Sequence, residues 1–239
     1  PPKQQRRKQR TFFHFTTDGD FLSDVCVSVY VCVCVCTRAA AEDPGLKREA
    51  LDVLDAAAHL GLSAVRAWAF GDGEHWNALQ PTAGQFDERV FKGLDFVIAQ
   101  AKARGLQLIL VLTDYFPPYG GLQQYVRWSR GLRKEDPVCA EYFYTDTRCH
   151  AMFERFCCAV LLRVNTYTGV MYRDDPTILA WEICNEPRCK HSSGVPSEAM
   201  HQAWTSKAAA HIHRLDPNHL VTTGNEGFFG PTSPGRLCD

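Results

Sequence analysis

The chain has no run of the roughly 18 apolar residues that a membrane-crossing helix needs, so none is expected among its 239 residues. It also lacks an excess of either charge. Lys plus Arg number 26 against 27 Asp plus Glu, for a formal net charge of -1, which gives no electrostatic reason to expect a nucleic-acid partner. A neutral polymer such as a polysaccharide is compatible with that balance. No GxGxxG follows an apolar run, which lowers the nucleotide-binding options, and no HExxH occurs. No secretory signal is visible, because Thr11 to Phe15 after the basic start is too short and polar for an h-region. Cysteine is plentiful: there are eleven, an odd number, yet no CxxC pair, so the spacing fits no zinc site. His211 and His213, two apart on a predicted helix, face different ways rather than sharing a ligand. No metal and no cofactor is expected.

Residues 1–40 differ from the rest. Lys3 to Arg10 is a basic, glutamine-rich run that reads as a solvated tail, the alternative being a localisation signal. Residues 25–36 alternate Val and Cys with few exceptions. That is a run of high strand propensity, but also what a repeated TG dinucleotide encodes. Residues 1–40 are accordingly expected to be disordered or a misread exon boundary, with a single domain over 41–239.

From residue 46 the pattern is regular. Leu46, Ala50, Leu51, Leu54, Ala57 and Ala58 predict a helix stopped by Gly61; Val90, Phe91, Leu94, Val97, Ile98 and Ala101 predict another, closed by Gly105. Met152, Phe153, Phe156, Val160 and Leu161 mark a third, and Met200, Trp204, Ala208 and Leu215 a fourth, capped by Ser197. Between them, residues 64–70, 106–113, 178–184 and 219–223 are short apolar runs that predict strands buried on both faces. Pro117 to Gly121 reads as part of a long loop. Strand–helix alternation implies parallel strands with right-handed crossovers, leaving a doubly wound sheet or a TIM barrel. Arg66, Asp114, Asn185-Glu186 and Asn225-Glu226 crowd at strand C-terminal ends, where barrel active sites sit, and favour the barrel.

Trp181-Glu182-Ile183-Cys184-Asn185-Glu186-Pro187 is the most informative segment. A carboxylic acid ending a buried strand, preceded by an amide, suits a cleft floor. Half desolvated, Glu186 would stay protonated and serve as general acid, while Asn185 binds a sugar hydroxyl. The plain alternative is a turn with a capping role. Glu182 shares strand parity with Glu186 and reads as an inward carboxylate paired with a cation.

From about residue 41 to 230 the sequence resembles glycoside hydrolase family 5, most closely its plant-type endo-β-1,4-mannanases. The likeness rests on Val65 to Gly73 (VRAWAFGDG), Gln124 to Trp128 (QYVRW) and Asp174 to Ile178. It continues through Trp181-Glu182 with Asn185 to Cys189 (NEPRC), and Glu226-Gly227-Phe228. It implies an α/β fold, a partial TIM (β/α)8 barrel of the first five βα units with a degenerate first strand where residues 25–36 stand. It implies Glu186 as acid/base, Asn185 as the sugar-binding amide of the −1 subsite and Arg66 as the arginine near the nucleophile. Arg188 matches an aglycone-side position. Trp68 and Phe116 are candidate stacking aromatics, with core packing as the alternative.

Two departures qualify this. The nucleophile glutamate of the family's seventh strand is absent from the chain, since Glu226 matches a different position, and Asp114-Tyr115-Phe116 replaces the more usual Asn-Asn-Trp. The resemblance implies a retaining enzyme acting on mannan-type polysaccharide, without cofactor, nucleic-acid partner or membrane, monomeric when complete and extracellular. The chain as given, with an open half-barrel and no nucleophile, is expected to be inactive and aggregation-prone. A β-glucan hydrolase, a transglycosylase and a non-catalytic carbohydrate-binding remnant remain open alternatives.

Overall fold

A computed structural model describes residues 44–189 and 198–225. The 1–40 segment, the Ser197 cap and Glu226-Gly227-Phe228 lie outside the described residues. The elements run α1 (Pro44–His59), β1 (Ala64–Trp68), α2 (Glu88–Ala103), β2 (Gln107–Val111), α3 (Gly121–Arg130), α4 (Thr147–Leu161), β3 (Ile178–Glu182), α5 (Glu198–Leu215) and β4 (Leu220–Thr222). Strands β1 to β4 are those the sequence predicts as the second to fifth of a barrel.

The periodic apolar positions do what their spacing implies. Ala50, Leu54 and Ala57 of α1 are buried, as are Val90, Phe91, Leu94, Val97, Ile98 and Ala101 of α2. Asp87 and Asp146 cap α2 and α4 by accepting from the Arg89 and Arg148 N–H groups, satisfying donors that a helix start leaves open. Beyond α1 and α2, Gly61 and Gly105 take left-handed backbone at φ 73° and 69°, which a side chain would resist.

The four strands form one parallel sheet in the order β1-β2-β3-β4. Arg66 is level with Ile109 and Ile109 with Ala180; Trp68 is level with Val111, Val111 with Glu182, and Glu182 with Thr222. These residues share one face. Val65, Ala67, Leu108, Leu110 and Trp181 occupy the other, fully buried. The register slips between Leu108 and Ile109, where Leu179 is the extra residue of a bulge. That bulge sets Ala180 and Glu182 on the Arg66 face.

One helix departs from expectation. Gly121–Arg130 is helical, whereas Pro117 to Gly121 suggests only a loop. Its start has no side-chain cap: Gly120 precedes it at φ 90°, after a short 3-10 turn at Pro117–Tyr119. A Cβ at Gly120 would overlap the Asp72 carbonyl and one at Gly121 that of Asp114, so the two glycines let α3 begin against the β1 and β2 ends.

Candidate active site

The strands deliver their polar residues to one end of the sheet. Arg66 leaves β1 and reaches Glu182 at the end of β3 through both Nε, at 2.8 Å, and Nη2. Nη2 also donates to Asn185 Oδ1 at 2.7 Å. Asn185 in turn donates from Nδ2 to Asp114 Oδ1 at 3.0 Å, and the backbones of Asp114 and Asn185 form a parallel bridge. The Asn185 amide is thus gripped at both ends, its oxygen by a cation and its nitrogen by a carboxylate. One amide hydrogen remains for another acceptor.

Burial opposes the charge of Arg66, but the Glu182 bond and charge outweigh it and hold the guanidinium above the usual arginine range. Asp114, with a side chain almost without exposure, goes the other way. Burial pushes its carboxyl up more than the Asn185 and Phe116 N–H bonds pull it down, with the Glu186 charge adding to the rise. Glu182 is the cation-paired inward carboxylate that strand parity predicts.

Glu186 follows this clamp and differs from it. Its φ of 45° is the only positive value of a non-glycine residue among the described residues, a conformation that costs an L-residue roughly 1–2 kcal/mol. Its N–H donates to the Gly224 carbonyl at 3.1 Å, while its side chain remains 42% exposed. The nearest described cation is Arg188, with Nη2 3.9 Å from Glu186 Oε2. The Arg188 guanidinium also lies 5.2 Å from the Phe116 ring centroid, and the Arg188 carbonyl accepts from Tyr144 OH at 2.7 Å. Glu186, Arg188 and Phe116 therefore form an accessible group beside the buried Arg66–Glu182–Asn185–Asp114 network.

Trp68 does not join them as an open platform. It is 9% exposed, stacked on Phe70 with centroids 5.0 Å apart and met edge-on by Tyr119 at the same distance. Those contacts take the area a sugar would need, so Trp68 belongs to the core. Two residues with a part in the geometry escape sequence reading. Asp114 stands out there only as a polar strand-end residue, not as the anchor of Asn185. Gly224, at φ 80°, lies so close to Cys184 and Glu182 that a Cβ would overlap the Cys184 carbonyl. The Gly-Asn after an apolar run is the signal that marks such a tight turn.

A parallel sheet with interleaved helices and polar side chains gathered at its C-terminal edge is part of a (β/α)8 barrel, the class of fold whose active sites lie on that edge. The comparisons narrow the class. The family model described as "GH family 5 beta-mannosidase-like" matches residues 14–235. The chain belongs to that family. It is 45% identical over 194 residues to a protein named putative mannan endo-1,4-beta-mannosidase 5 of Oryza sativa subsp. japonica, covering 81% of this chain and 38% of that protein. It is 42% identical over 195 residues to mannan endo-1,4-beta-mannosidase 7 of Arabidopsis thaliana, covering 81% and 44%. Among solved structures, the hyperthermostable endo-1,4-beta-D-mannanase of Thermotoga petrophila superposes with a TM-score of 0.73 at 33% identity, over 85% of this chain and 56% of that one. The endo-1,4-beta-mannanase of Rhizomucor miehei gives 0.70 at 30% identity, over 82% and 56%. The chain spans less than half the length of these two plant relatives.

Proposed function

We propose that this chain supplies the acid/base side of a retaining endo-β-1,4-mannanase, with Glu186 as the proton donor. The observation that carries the reading is the contrast within one strand end. Asn185 is locked by Arg66 and Asp114, and the next residue, Glu186, is held in a left-handed conformation with its carboxyl open to solvent. A locked amide with one hydrogen to spare is suited to a substrate hydroxyl next to the reacting carbon. An accessible carboxyl beside it is suited to protonating the glycosidic oxygen and then activating water.

Arg188 and Phe116 extend this group and would contact the leaving-group sugars, the cation by hydrogen bonds and the ring by its apolar face. The substrate is taken as a mannan-type polysaccharide because the relatives above carry that activity in their names. A retaining mechanism also needs a second carboxylate about 5–5.5 Å from the first as nucleophile. Glu182 and Asp114 are poor candidates: Glu182 is spent on Arg66, and Asp114 on Asn185 and the Phe116 N–H. The nucleophile is assigned to the part of the relatives' length that this chain does not match. Action outside the cell on cell-wall mannan, as a single chain, completes the reading.

The test is the viscosity of galactomannan treated with the protein translated from the full transcript, as wild type and as Glu186→Gln. A rapid fall with wild type and a loss of about 10²–10⁴-fold in the variant is the expected result. Undiminished cleavage by the variant would remove Glu186 from the role.

A further inference from the structure

A second concavity adjoins this face, lined by other residues. A cleft of about 730 Å³ runs between the loop that joins β1 to α2 and the length of α3, closed at its far end by residues 132–135. Its volume falls within the range of small-molecule sites. None of Arg66, Phe116, Asn185, Glu186 or Arg188 lines it. Gly120, packed on the Asp72 carbonyl, stands in its wall.

The lining chemistry selects a ligand class. Glu74, Glu135 and the buried Asp72 border the cleft together with Arg127, Arg133, Lys134 and His75, so the two signs are mixed and no single-sign field selects an anion or a cation. Two of the bases are already engaged. Arg127 Nη1 donates to the carbonyls of Arg133 and Asp136, and Arg133 pairs with Glu135 and Asp136. These bonds brace the far wall instead of offering a phosphate or carboxylate site.

Trp128, Pro117 and Pro118 add apolar surface to the lining, beside Thr82 and the amides of Gln123 and Gln124. Two buried polar atoms of lining residues have no partner among the described residues: Asp72 Oδ2 and His75 Nε2. Asp72 as a whole is 2% exposed. Apolar side chains interleaved with accessible amides and a hydroxyl are the complement of a sugar ring, with its C–H face and peripheral hydroxyls.

We infer that this cleft is a second saccharide site, holding a neutral hexose oligomer outside the Glu186 face. The choice of sugar rests on the mannan reading above; the location does not. Such a site would tether a polysaccharide chain while another stretch of it lies on the Glu186 face.

The test is a titration of the isotopically labelled protein from the full transcript with mannotetraose, followed by NMR at the Trp128 indole N–H and the Gln123 and Gln124 side-chain amides. The variants are Asn185→Ala for the Glu186 face and Glu74→Ala with Gln123→Ala for the cleft, the latter two at accessible positions. Saturable shifts at the cleft are expected in the wild type and in Asn185→Ala, weakened about tenfold or more in the cleft double variant. Shifts confined to Asn185, Glu186 and Arg188, or none in the cleft at millimolar sugar, would overturn the inference. Cleft shifts with a silent Glu186 face would leave it standing while counting against the proposed function.

Discussion

Two buried ionic networks in this molecule look alike in composition and differ in completeness. On the flank of the fold, Asp95 of α2 is fully buried and accepts from Arg163 Nε and Nη2, from Tyr172 OH, and from the Thr166 N–H and hydroxyl, at 2.6 to 3.1 Å. Every lone pair is taken, and Arg163 also donates from Nη1 and Nη2 to Glu88. At the strand ends, Arg66, Glu182, Asn185 and Asp114 are equally interlocked, but the chain then emerges as Glu186, strained and open. A closed network gives stability and nothing else can bind to it. An open one gives up stability where a substrate is to supply the missing partner.

The sharpest way to break this comparison is to open the closed network. Asp95→Ala leaves Arg163 with only the more exposed Glu88, and is expected to destabilise the fold by about 3–5 kcal/mol in denaturant titration. A change below about 1 kcal/mol would mean that Asp95 is not a structural anchor.

Next in size is a pH effect in which two buried carboxyls, Asp95 and Asp72, have opposite sign. Burial works against the Asp95 charge, but its Arg163, Tyr172 and Thr166 bonds outweigh it and hold the carboxyl below the usual range. Its contribution is therefore present above the unfolded-state value and lost as pH falls. Asp72, in the loop that follows β1, is pushed up to about 7 by burial, against the pull of Gln80 and the Gly121 N–H. Its contribution is full below the ordinary value of 3.8 and lost as pH rises towards 7. Asp72→Asn should remove that decline and stabilise the protein on the order of 3 kcal/mol near pH 8, read as unfolding free energy against pH. An unchanged slope between pH 4 and 7 would show Asp72 to be ionised in the fold.

A smaller effect tests a second closed network. Trp181 Nε1 donates to Asp216 at 2.6 Å, and Asp216 also bonds His219 and the Asn218 N–H. Trp181→Phe keeps most of the buried ring and removes one bond to a carboxylate, for an expected loss of about 1.5 kcal/mol in the same denaturant titration. The smallest effect has the opposite direction. Glu186→Gly relieves the left-handed backbone, partly offset by the entropy glycine loses on folding, and should raise stability by about 0.5–1 kcal/mol while abolishing any mannan cleavage. Destabilisation by that variant would show that Glu186 contributes to the fold.

The same contrast explains what the sequence made legible. Apolar spacing at 3.6 and in short runs marked α1, α2, α4 and all four strands, because those signals are local. The pairing of Glu182 with a cation followed from strand parity. Helix α3 did not show, because it starts on Gly120-Gly121 after two prolines, with no capping side chain to announce it. Nor did the partners of Asn185. Arg66 is 119 residues away and Asp114 is 71, and only the parallel register brings them together. Trp68 sits beside Arg66 in sequence near the strand end, yet its ring is taken up by Phe70 and Tyr119, an outcome no local pattern encodes.

The most direct test of the account is how the Glu186→Gln loss depends on the leaving group, measured on the protein from the full transcript. A residue that donates the departing proton should be nearly dispensable for a 2,4-dinitrophenyl mannobioside, whose leaving group departs as an anion, and indispensable for mannohexaose. The account predicts a loss of about 10²–10⁴-fold in kcat/KM on the oligosaccharide and little loss on the activated substrate. Equal losses on both would contradict it, and would place Glu186 in binding or folding instead of proton transfer.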